Sequence, residues 1–129
     1  MARSPGLLAV HWQAPSTTGC GYLADDASLW EAYAHFLSTA PDHGLAAFAL
    51  DGYPEAIHTP EALLQKVQRL TTVLAGHRYA GPQLDIEPYL LADFFLDDTG
   101  LGRYLAVLEQ IRKALGGQTR LSVVIMYHW

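Results

Sequence analysis

Short apolar runs alternate with amphipathic helical stretches along the whole chain, and this alternation limits the available folds more than any other feature. Leu7-Leu-Ala-Val-His-Trp12 is of strand type, with Pro5 and Gly6 before it. Residues 13 to 27, rich in Pro, Ser, Thr and Gly, read as a loop. Ser28-Leu-Trp-Glu31 has the pattern of a capping box, and Trp30, Tyr33, Ala34 and Leu37 follow at helical spacing. Gly44 to Leu50 is a second strand-like run, ending at the turn Asp51-Gly-Tyr-Pro. Thr59-Pro60-Glu61 signals a helix start, Leu63, Val67, Leu70 and Leu74 share one face, and Gly76 terminates it. A third short run begins at Gly81. A third helix carries Leu101, Tyr104, Leu105, Leu108, Ile111 and Leu115 and stops at Gly116-Gly117. Leu121 to Trp129 is the most strand-like run of all.

The order βαβαβαβ predicts an α/β domain of parallel strands with right-handed crossovers. Connections leaving strands are long, at residues 13 to 27, 51 to 58 and 90 to 98, while those from helix back to strand are short. Elaborated loops therefore gather at the carboxyl ends of the strands, where α/β proteins build their sites. Four strands and three helices make about half of a (β/α)8 TIM barrel, which needs about 250 residues. The alternative is a small open doubly wound sheet. The chain stops on a bare apolar strand at Trp129, so the expectation is a truncated barrel. Its open edges are expected to pair with a second copy.

Composition narrows the partners. The chain has 129 residues, 50% apolar and 16% charged, enough for a single folded domain with a core. A formal charge of −5 gives no basic surface for nucleic acid or an anionic membrane. No apolar run reaches the ~18 residues of a membrane span, and the start is too short in its apolar part for a signal peptide. The single Cys20, beside two glycines, reads as an incidental thiol and leaves the compartment open.

The stretch that carries chemistry is Gly81-Pro-Gln-Leu-Asp85-Ile-Glu87-Pro-Tyr89. As a strand it places Gln83, Asp85 and Glu87 on one face and Leu84 and Ile86 on the other. Same-face neighbours lie about 6.5 to 7 Å apart. Two carboxylates that close do not both ionise freely, so one is expected to hold its proton near neutral pH. A proton-holding carboxyl is what glycoside hydrolysis needs to protonate the leaving oxygen. Glu87, nearer the strand end, is assigned as that acid, and Asp85 as the residue that orients it and tunes it. The bland reading is a salt-bridged strand terminus, with Arg78 or Arg103 as partner.

These nine residues resemble the fourth-strand signature of the family 18 glycoside hydrolases, the chitinase-like barrels, in which Asp-x-Glu closes an apolar strand. The Asp-Ile-Glu-Pro-Tyr form is most similar to an uncharacterised bacterial glycosidase-like branch. The resemblance implies a TIM barrel, a poly- or oligosaccharide substrate, Glu87 as general acid and Asp85 as its assistant. The family's further upstream aspartates are replaced here by Gly81, Gln83 or nearby neutral residues, so an N-acetyl-sugar preference does not carry over.

Secondary candidates lie at other strand ends. Asp51 is a candidate for bonding a sugar hydroxyl, against a plain turn role before Gly52. Tyr89, Tyr127, Trp12 and Trp129 are candidates for stacking on sugar faces, and His11 for a substrate contact. His11 and His128 lack metal-ligand spacing, so no metal is expected. No Gly-x-Ser-x-Gly elbow and no Gly-rich phosphate loop occur, so neither a serine hydrolase nor a nucleotide cofactor is expected. Two functions remain: a glycosidase-like domain, inactive as an isolated half, or a non-catalytic carbohydrate-binding scaffold.

Overall fold

The structure, a computed structural model, describes residues 8–15, 26–96 and 98–125. Four strands, β1 (Leu8–Gln13), β2 (Leu45–Asp51), β3 (Gly81–Leu84) and β4 (Ser122–Val123), alternate with helices α1 (Ala27–Thr39), α2 (Pro60–Val73) and α3 (Thr99–Leu115). The strands pair in chain order, all parallel, in a sheet curled as a half-barrel. A doubly wound sheet reverses its strand order at a switch point. No reversal occurs among the described strands.

Register and burial define the two faces of the sheet. Ala49 pairs with Pro82 and Asp51 with Leu84, so these positions point the same way. Ala47 and Ala49 are buried against Trp30, Tyr33, Ala34 and Leu37 of α1 and against Leu70 and Leu74. Leu84 and Ile86 are buried against Leu63 and Val67 of α2 and Tyr104, Val107 and Ile111 of α3. All three helices therefore cover one face. Small alanines on β2 pack against α1 and the carboxyl-terminal part of α2, while the larger Leu84 and Ile86 pack against α2 and α3. The opposite, concave face carries Phe48, Leu50, Gln83 and Ser122 in register, with His11 stacked on Phe48 at 5.3 Å between ring centroids.

Several local expectations shift. α1 starts one residue before Ser28, and its cap is Asp26, whose Oδ1 accepts from Ser28 N at 2.9 Å and from Ser28 Oγ at 2.6 Å. A carboxylate outcompetes the serine hydroxyl for the free amides of the first turn. On α3 the buried stripe is Gly100, Tyr104, Val107 and Ile111; Leu101 and Leu105 are 49% and 55% exposed. The apolar band of α3 is wider than the face the sheet covers. β4 is described as two residues, extended by Val124 N donating to Leu84 O at 2.9 Å.

Candidate functional site

The site sits where β3 ends. The ladder runs one rung beyond Leu84, through Asp85 N donating to Asp51 O at 3.0 Å. Gly52 makes that rung possible: at φ 152° it lies so close to Asp85 that any Cβ there would overlap the Asp85 main chain. After Ile86 the backbone turns sharply at Glu87, which takes the left-handed conformation at φ 50°, ψ 50°. This is the one non-glycine residue with positive φ among those described. Such a conformation costs a non-glycine residue ~1–2 kcal/mol, and strain of this kind concentrates at functional sites. Pro88 then opens a short 3-10 turn, Pro88–Leu90.

The predicted strand was to run through Glu87; the regular pairing stops at Leu84. The alternation of burial nonetheless persists, with Leu84 and Ile86 fully buried toward the helices and Asp85 and Glu87 half-buried. Burial pushes the Asp85 carboxyl up from its ordinary value, and the neighbouring Glu87 charge pushes it further. Asp85 Oδ1 is enclosed and has no hydrogen-bond partner. The upward push thus falls on Asp85, the deeper carboxyl. Glu87 Oε1 instead accepts from the Tyr89 hydroxyl at 2.6 Å, and that donated proton is held to about 12 by the bond, by burial and by nearby negative charge.

Neither arginine of the bland reading serves the pair. Arg78 bonds Asp42 at 2.8 Å, and no ion pair reaches Asp85 or Glu87 among the described residues. Among the described residues the carboxylates stand together without a cation.

The loops after β2 and β3 pack against each other. The segment after β2 contains the 3-10 turn Pro54–Ile57, and that turn packs against Pro88–Leu90. His58 Nε2 lies 3.2 Å from Asp93 Oδ2, linking the two loops.

The remaining candidates separate. Tyr89 is at the site. Asp51 is 2% exposed and faces the helices, where its Oδ1 bonds Lys66 Nζ at 2.6 Å and Gly52 N at 2.7 Å. Its contribution reaches the site through its main-chain oxygen on Asp85. His11 is level with Gly81, four residues and ~13 Å toward the amino end from Asp85. Trp12 lies in β1 in register with Ala49, and its side chain is outside the described part, as are Tyr127 and Trp129.

Four residues not assigned to the site belong to it or support it. Gln83 shares the open face with Asp85 and is 7% exposed. Tyr104 of α3, read as core alone, feels the charge of Asp85 while its hydroxyl donates to Val124 O at 3.4 Å. Lys66 and Gly52 hold the end of β2. The period-2 alternation placed Gln83; no sequence signal joins Lys66 to Asp51 fifteen residues away. Compared with protein-family models, with curated proteins and with solved structures, the chain matches none.

Proposed function

We propose that this chain is a glycoside hydrolase-like half of a (β/α)8 barrel acting on a poly- or oligosaccharide. Glu87 protonates the leaving oxygen, and Asp85 orients and tunes it. The observation that carries the proposal is the Asp85 carboxyl, enclosed and pushed upward beside Glu87 at the carboxyl end of a parallel sheet. Two neighbouring carboxyls, the deeper one pushed upward by burial and by the charge of the other, are a pairing that glycoside hydrolysis uses, and Glu87, the one nearer the strand end, is assigned to the leaving oxygen. The resemblance of Gly81 to Tyr89 to the chitinase-like signature supports the same assignment.

Hydrolysis of a soluble oligosaccharide at high protein concentration tests it. Turnover is expected to be slow, because a half-barrel brings only about half of a barrel's strand-end loops to the pair. Glu87→Gln is expected to lower the rate by ~10²-fold or more, the usual contribution of a general acid. Equal rates for the two proteins would rule the acid role out. A second reading, saccharide binding without cleavage, is favoured by the Tyr89 hydrogen bond, which engages one oxygen of the would-be acid. Binding without turnover, unchanged in the variant, supports that reading.

A further inference from the structure

Oxygen acceptors gather at the end of β3 with little protein to satisfy them. Gln83 is 7% exposed, and its Oε1 is enclosed without a hydrogen-bond partner. Asp85, two residues on and on the same face, has its Oδ1 in the same state. Glu87 stands next, with Tyr89 on its Oε1. A buried acceptor without a donor costs ~1–3 kcal/mol, and folded proteins leave few of them. Two on one strand face call for a donor that none of the described residues supplies.

The chemistry of that donor follows from what surrounds it. No lysine or arginine pairs with Asp85 or Glu87 among the described residues; Lys66 is committed to Asp51 on the helix side and Arg78 to Asp42. A hydroxyl would bring acceptor lone pairs of its own and leave the carboxylate charge uncompensated. An acetamide would bring a carbonyl that needs a donor, and the Tyr89 hydroxyl is already given to Glu87. An ammonium group has three donors and no acceptor, and its bonds to carboxylates are charge-assisted.

We propose that Gln83, Asp85 and Glu87 form a binding site for a primary ammonium group, which makes a saccharide with free rather than acetylated amines the ligand. The saccharide half rests on the glycosidase reading above; the ammonium half does not.

The test is a titration of the full chain, followed by amide and side-chain NMR, with three probes: glucosamine trimer, N-acetylglucosamine trimer and putrescine. The glucosamine trimer is expected to bind at least about tenfold more tightly than the acetylated one, with shifts centred on Gln83 and Asp85. Gln83→Met and Asp85→Asn are each expected to weaken it about tenfold while the rest of the spectrum keeps its dispersion. Equal affinity for the two trimers, or no amine-induced shift at these residues, would overturn the ammonium site. Putrescine binding more tightly than the trimer would overturn the saccharide half. Hydrolysis indifferent to Glu87→Gln would sink the glycosidase reading and leave ammonium binding intact. Glu87-dependent cleavage of the acetylated trimer, without amine binding, would do the reverse.

Discussion

At the scale of the residue, Asp85 and Glu87 differ although they lie two positions apart. Asp85 is held by a main-chain rung to Asp51, so its carboxyl is carried partly inside; Glu87 leaves the strand in a left-handed turn and takes a hydrogen bond from Tyr89. Raising the native value of an acid has a definite sign in stability. Between the unfolded value, about 3.9, and the raised native value, the folded chain binds more protons than the unfolded one. The Asp85 contribution is therefore present below the unfolded value and lost as pH rises through the native one. Asp85→Asn, which removes the charge and keeps the shape, is expected to be more stable than the natural chain at pH 7. Its advantage should shrink as pH falls and vanish near pH 3. Urea midpoints at several pH values check this, and a variant less stable at pH 7 would contradict it.

At the scale of the element, the end of β2 is the support on which the site rests. The Asp51–Lys66 pair joins β2 to α2 with both side chains nearly buried, at 3% and 9% exposed, and Lys66 Nζ also lies 5.5 Å from the Tyr53 ring centroid. Removing one partner of a buried pair strands the other charge and costs ~3–5 kcal/mol. Lys66→Met is expected to lower stability by about that much, and adding Asp51→Asn to restore part of it. A loss under ~1 kcal/mol would show that the pair is effectively hydrated.

Much of this layer was legible beforehand. The strand–helix order, the helix stop at Gly116 and the alternating burial of Leu84, Asp85, Ile86 and Glu87 follow from local pattern, whereas α2 ends at Val73 with Leu74 as its cap, before the expected stop at Gly76. The Asp51–Lys66 pair and the Gly52 approach to Asp85 were not legible, because they join segments that meet only when β2 and β3 are in register. The cap of α1 was misplaced for a simpler reason: Asp26 and Ser28 are both good caps, and the carboxylate wins. On α3 the apolar residues cover more than one face, so periodicity alone did not choose which leucines are buried.

At the scale of the whole molecule, the sheet is half-barrel in curvature and its described strands leave β1 and β4 as edges. Leu29 on α1, at 50%, and Leu101 and Leu105 on α3 are exposed apolar side chains. Unpaired strand edges favour strand addition. A mass of two chains by light scattering is the expected result; a single-chain mass at micromolar concentration would count against association. Coupling of the two carboxyls lies within one strand end. It is measured most directly by following the Asp85 carboxyl carbon through a pH titration, in the natural chain and in Glu87→Gln. The midpoint is expected above the ordinary aspartate value and lower in the variant. A midpoint at or below the ordinary value, unmoved by removal of the Glu87 charge, would contradict the pairing on which the proposed chemistry stands.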